Sequence, residues 1–153
     1  MQDFPHYYRV EANAAPDGDV SLSAEKLETL VSAPPQEFGG SGDRWSPETL
    51  LVAAVADCFI LSFRAIARAS KLPWLSLNCD VEGTLERVEG TAKFTAFKVN
   101  ATLNVPADTN EPRARRILEK AEESCLITNS LSGTTHLHAV VMVKSYRPGT
   151  IYK

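Results

Sequence analysis

Residues 50–61 read LLVAAVADCFIL, apolar on all sides except for Asp57 and the thiol of Cys58. A helix that is apolar on every face is a buried helix, so the rest of the chain must be arranged to cover it. Its start is marked. Ser46 is an N-cap residue type, Pro47 suits the first helical position, and Glu48 puts negative charge in the first turn. The continuation, SFRAIARASK, turns amphipathic and basic, so Arg68 and Lys71 match the C-terminal dipole before Pro73 stops the helix. The apolar run reads as too short, and too quickly charged, to cross a membrane. A cysteine therefore sits midway along the most buried element.

The 153 residues fit one domain, 1–153, with enough chain for a sizeable core. A net charge of −3 argues against a nucleic-acid surface, which would show a basic patch. The start, MQDFPHYYRV, lacks the basic region and apolar core of a signal peptide. Three widely spaced cysteines are not a secreted disulfide framework. Together these point to the reducing cytoplasm, with neither nucleic acid nor membrane as partner.

Along the chain, residues 6–14 and 20–24 read as strands of a hairpin about the turn Pro16-Asp17-Gly18-Asp19, and residues 27–33 as a third strand ended by Pro34-Pro35. A glycine-rich loop, Gly39 to Gly42, leads into the buried helix. Beyond Pro73 the period becomes two. Leu75, Leu77, Cys79 and Val81 share one face, and so do Phe97, Val99, Ala101, Leu103 and Val105, with Gly90 turning the chain between them. Residues 109–124 form a second helix, with Ala114, Ile117, Leu118, Ala121 and Cys125 on its buried stripe. After turn residues Asn129, Ser130 and Gly133, residues 136–145 read as a last, interior strand, and the tail RPGTIYK as peripheral. This order gives an α+β domain with helices packed on antiparallel sheets.

The residues that could carry chemistry are few. Cys58 and Cys125 each fall on a buried helical face, and two helices covering one core could bring them within disulfide reach; equally, both could be small core hydrophobes. Glu48 precedes Cys58 by ten residues, roughly 15 Å along one helix, so the two can meet only if two copies pack these helices antiparallel. Alternatively Glu48 simply answers the helix dipole. Arg44 could favour a nearby thiolate, or be a solvated loop residue. Cys79 reads as core. His136 and His138 make a two-ligand half-site with no convincing third ligand, so no metal is expected. There is no phosphate loop, dinucleotide fingerprint or serine-nucleophile motif.

Two stretches carry a resemblance. GGSGDRWSPETLLVAAVADCFI (residues 39–60) resembles the helix motif of the OsmC/Ohr family, the osmotically induced and organic hydroperoxide resistance proteins, and SCLITNSLSGTTHLHAVV (residues 124–141) resembles its second cysteine motif. The resemblance implies antiparallel sheets wrapped around a long buried central helix, and an intertwined homodimer with active sites at the interface. It implies a thiol peroxidase that reduces alkyl or lipid hydroperoxides in defence against oxidative stress. Cys58 would be the peroxidatic cysteine, Cys125 the resolving cysteine, and Glu48 the carboxylate that holds an arginine. No bound cofactor is implied, only an external dithiol reductant of lipoyl type.

The chain departs from the family at two points. The hairpin turn at 16–19 has no arginine where the hydroperoxide resistance branch carries one, so Arg44 is assigned that role, with Arg9 as second candidate. Leu126 stands where a proline is common. Trp45, Leu51, Val55 and Phe59 are the expected apolar lining of the substrate pocket. The rival expectation is an OsmC-like dimer that senses redox state or binds a small molecule without turnover.

Overall fold

The structure is a computed structural model and describes residues 1–145; the tail RPGTIYK lies outside the described residues. The chain forms two compact units, Met1–Leu51 and Val52–Lys153.

The first unit holds β1 (Glu11–Asn13), β2 (Val20–Ser23) and β3 (Leu30–Ser32), an antiparallel sheet in the order β1-β2-β3. The strands are shorter than their alternation suggested, because residues 6–10 find no pairing partner in the described chain. The segment before the long helix is pinned to β3: Trp45 bridges Ser32, and Ala33 N–H donates to the Trp45 carbonyl at 2.8 Å.

Helix α1 (Pro47–Ala69) begins and ends where local chemistry directs. Thr49 N–H donates to Ser46 Oγ at 3.1 Å, and Ser46 N–H donates to Thr49 Oγ1 at 2.9 Å. This is a capping box with threonine in the third position. At the far end Lys71 takes a left-handed φ of 53°, and Leu72 N–H reaches the Ala67 carbonyl at 2.9 Å, a Schellman-type stop. The helix is 23 residues long, and its most apolar 18-residue window has a mean hydropathy of 2.1, long and apolar enough by length and composition to span a bilayer. The expectation that the apolar run is too short and too quickly charged to cross a membrane is thus not met by length and composition, because the continuation through Ala69 belongs to the same helix and adds only Arg64 and Arg68 as charges. Nor is α1 buried all round. Val55, Phe59, Phe63 and Ala67, at steps of four, are the buried stripe, while Leu61 is 50% exposed.

In the second unit β4 (Ser76–Val88) and β5 (Thr91–Pro106) form the expected antiparallel hairpin. It turns through Glu89 and Gly90, both at positive φ (50° and 82°), as a two-residue loop requires. A bulge leaves Thr95 without a pair, since Thr84 opposes Ala96 and Leu85 opposes Phe94. The extra residue shifts the parity of β5, so Phe94 stacks on Phe97 with centroids 5.4 Å apart. Helix α2 (Glu111–Glu123) starts at Asn110, whose side chain accepts from Arg113 N–H at 2.9 Å, and it buries Ala114, Ile117, Leu118 and Ala121. A short α3 (Leu126–Asn129) follows, then β6 (Thr134–Lys144).

The sheet order is β4-β5-β6, and β6 runs parallel to β5. This sheet is therefore mixed, where antiparallel pairing throughout had been expected, and β6 is an edge strand where an interior one had been expected. The cause is the crossover. The chain leaves β5 at Pro106 and crosses back through two helices, so it re-enters the sheet at the end where β5 began. Phe97, Val99, Ala101, Leu103 and Val105, all at most 1% exposed, form the core face of β5.

Candidate functional site

Cys58 and Cys125 are both free thiols in the second unit. Cys58 is half-buried on α1, and Cys125 is 2% exposed between α2 and α3. The backbone holds Cys125 in place: its carbonyl accepts from Asn129 N–H at 3.0 Å and from Thr128 Oγ1 at 3.1 Å. Burial pushes the Cys125 thiol up from its ordinary range; hydrogen bonds from Thr128 pull it part of the way back, and the neighbouring Cys58 thiol adds to the rise. Cys58 is thus among the groups that act on the Cys125 thiol. The other close partner of Cys58 is Ser62, one turn along α1, with Oγ 3.9 Å from Sγ.

Cys79 lies on the half-buried face of β4, opposite Ala101. Burial, then the Asp80 carboxylate, then Cys125, push its thiol up to about 11. It stays protonated at neutral pH and is a poor nucleophile there.

In the first unit, Glu48 is half-buried, and its Oε2 is buried with no hydrogen-bond partner among the described residues. It lines an apolar pocket of about 280 Å³ with Val20, Ser32, Pro34 and Phe38. Arg44 lies elsewhere. Its Nε donates to Asp19 Oδ2 at 3.3 Å, its Nη1 is 3.5 Å from Asp43 Oδ2, and it lines a second pocket with Val31 and Trp45. Val31 and Ser32 are successive residues of β3, so these two pockets open on opposite faces of the sheet. Within one chain the structure does not bring Arg44 to Glu48. The hairpin turn, which lacks the expected arginine, instead carries the aspartate that holds Arg44. Arg9 lines a shallow pocket with Glu11 and Glu25, away from both.

The four residues expected to line a substrate pocket differ in placement. Trp45 is 47% exposed and Leu51 is half-buried, whereas Val55 and Phe59 are packed into the core at 0% and 1% exposure. His136 and His138 project from the exposed face of β6, and among the described residues no three His, Cys, Asp or Glu side chains are grouped to hold a metal ion. Sequence reading missed Ser62, Thr128 and Asp19. The spacing of four between Cys58 and Ser62 was the available signal; Asp19 lies 25 residues from Arg44 and gave none.

Comparison with known proteins follows this geometry. The OsmC-like protein family model matches residues 40–138, well over half the chain and including both Cys58 and Cys125. The uncharacterized protein YmaD of Bacillus subtilis is 28% identical over 144 residues, covering 91% of this chain and 95% of its own. Among solved structures, the organic hydroperoxide resistance protein OsmC from Legionella pneumophila is similar, with 25% identity, a TM-score of 0.69, and coverage of 90% of this chain and 98% of its own. An organic hydroperoxide resistance protein from Elizabethkingia anophelis shares 17% identity with a TM-score of 0.72, over 92% of this chain and all of its own. An OsmC-like protein from Mycoplasma pneumoniae shares 14% with a TM-score of 0.73, over 92% and 99%. The α+β architecture read from the sequence is the one these structures share, and the chain belongs to the OsmC-like protein family.

Proposed function

We propose that this protein is a cysteine-based peroxidase that reduces organic hydroperoxides to alcohols. The observation that carries the reading is the pair of free thiols on separate helical elements, Cys58 half-buried and Cys125 buried and acted on by Cys58. Membership of a family with solved members named organic hydroperoxide resistance proteins supports it.

The Cys58 thiolate attacks the distal oxygen of ROOH. An S–O bond forms, the O–O bond breaks, and the alkoxide takes a proton from water to leave as ROH, with Cys58 now a sulfenic acid. The Cys125 thiolate then displaces hydroxide from that sulfur to give the Cys58–Cys125 disulfide. A small external dithiol, of lipoyl type in this proposal, restores both thiols by exchange. The reaction asks for no bound cofactor, and the proposed setting is the cytoplasm.

The working unit in this proposal is a homodimer, with 1–153 as one domain. The family match runs through the boundary between the two compact units, which supports a single domain. A second copy would cover the apolar side of α1 that this chain leaves open, including Leu61, and would account for that helix without a membrane. It would also bring Glu48 of one protomer to Cys58 of its partner, which a single helix cannot do. Of the four expected lining residues, Trp45 and Leu51 are the two not sealed in the core, and in this proposal they supply the apolar surface that favours alkyl substrates.

One observation favours a second reading. Arg44 is engaged by Asp19 rather than by Glu48, and a site without its cation suits a redox sensor that is oxidised once and does not turn over. Steady-state consumption of cumene hydroperoxide with dithiothreitol, in wild type and Cys58→Ser, separates the two. Sustained turnover lost in the variant is expected. One equivalent consumed per chain in wild type would overturn the peroxidase in favour of the sensor.

A further inference from the structure

Building on the peroxidase reading, we propose that Ser62 is the hydrogen-bond donor that holds the Cys58 sulfur in its attacking state. Ser62 Oγ lies 3.9 Å from Cys58 Sγ, at the long end of the range for a sulfur acceptor. A thiolate has no proton to give, so in the reacting state the hydroxyl must be the donor. Hydrogen bonding to the charged form favours that form.

The other sources of stabilisation are weak at this position. Cys58 is the twelfth residue of α1, and the helix dipole acts only over the first turn. Arg44 is bound to Asp19 in the first unit. The Cys125 thiol is itself pushed up by burial and by Cys58, so as a partner it is a weak S–H donor. Ser62 is the hydroxyl that remains.

Ser62 is also an unexpected residue for its place. Serine is a poorer helix former than alanine in a helix interior, and α1 uses alanine at positions 53, 54, 56, 65, 67 and 69. A mid-helix serine ordinarily donates to the carbonyl four residues back. Here that residue is Cys58, and the contact made is with its sulfur. During attack Ser62 keeps its proton. Sulfur loses two electrons to the hydroperoxide, and the leaving alkoxide is protonated by water. Once Cys58 is bonded to Cys125 the sulfur carries no charge, and the hydroxyl is free to return to the helix carbonyl.

The test is the rate at which iodoacetamide alkylates Cys58 at pH 7, read site by site by peptide mass spectrometry. Wild type, Ser62→Ala and Ser62→Thr are compared, with cumene hydroperoxide turnover measured in parallel. Loss of a hydrogen bond to a charged sulfur should slow Cys58 alkylation about tenfold in Ser62→Ala, the lower end for charge-assisted bonds because the contact is long. Ser62→Thr should restore the rate to within about threefold, since it keeps the hydroxyl. Ser62→Ala should melt no lower than wild type, because alanine suits the helix better. Equal alkylation rates in wild type and Ser62→Ala would overturn the proposal, as would a threonine variant as slow as the alanine one. If the alkylation pattern holds but wild type consumes no hydroperoxide, the peroxidase reading falls and the role of Ser62 at the thiol stands. If wild type turns over and Ser62→Ala matches it in both assays, the reverse holds.

Discussion

Gly83→Ala tests how the helix that carries Cys58 rests on its sheet. Gly83 lies on the half-buried face of β4, opposite Phe97. A Cβ built there would stand 2.8 Å from Val52 Cγ2 on α1, and 2.9 Å from Phe94 Cε1. Both distances are well inside van der Waals contact, so something must move. Local propensity argues the other way, because glycine weakens a strand and its replacement restricts the unfolded chain, worth about 0.4–1 kcal/mol of stabilisation. Overpacking a tight contact costs about 1–3 kcal/mol. The packing term wins, and Gly83→Ala should lose about 1–2 kcal/mol, a fall in Tm of roughly 2–8 °C for a chain of this size. Urea unfolding measures it, and Val52→Ala completes a double-mutant cycle. Val52→Ala is destabilising alone, but it removes the methyl that the new Cβ meets. The double variant should therefore be at least about 0.5 kcal/mol more stable than the sum of the single changes predicts. A neutral or stabilising Gly83→Ala, or strict additivity with Val52→Ala, would refute the close approach of α1 and β4.

The remaining predictions concern ionisable groups. Glu48 Oε2 is buried and unpartnered in the single chain. If a cation of a second copy completes it, Glu48→Gln should weaken the dimer by about 1.5–3 kcal/mol, read as Tm against protein concentration, whereas a stabilised Glu48→Gln would refute a partner for that carboxylate. Cys79, raised to about 11 by burial first, is harder to ionise folded than unfolded. Its contribution to stability is thus complete below the ordinary thiol range and is lost as pH climbs from about 9 to about 11. Cys79→Ala should flatten that decline in chemical denaturation across the same interval, and an unchanged slope would refute it.

What was legible in the sequence was what neighbouring residues decide among themselves. Ser46, Pro47 and Glu48 marked the start of α1, and the structure closes it through bonds between Ser46 and Thr49 that span three residues. The β4–β5 hairpin could be read because its alternation and its Glu89-Gly90 turn are local. The direction of β6 could not, because a strand pairs either way, and the crossover through α2 and α3 decides. Nor could Phe94 be assigned a face, because one extra residue at Thr95 inverts the alternation. At the candidate site the same division holds. The two cysteines stood out by their helical faces, but the fate of Arg44 depended on Asp19, which comes to it through the folding of the hairpin.

Helix α1 shows where composition and structure part. Its sequence is apolar on every face, which says that every face is covered, yet within the chain the covered stripe is Val55, Phe59, Phe63 and Ala67. Composition reports the environment a helix has in its working state. A single chain reports the part of that environment that it supplies itself. The difference between them falls on the stripe that includes Asp57, Cys58 and Leu61, where Asp57 and Leu61 are exposed and Cys58 is half-buried. A carboxylate would be expensive on that stripe in a bilayer and is tolerated at a seam between two protein surfaces, which supports the proposal that a second copy of this chain covers it. In the proposed dimer Cys58 would lie on that seam, half-buried and so within reach of a small hydroperoxide.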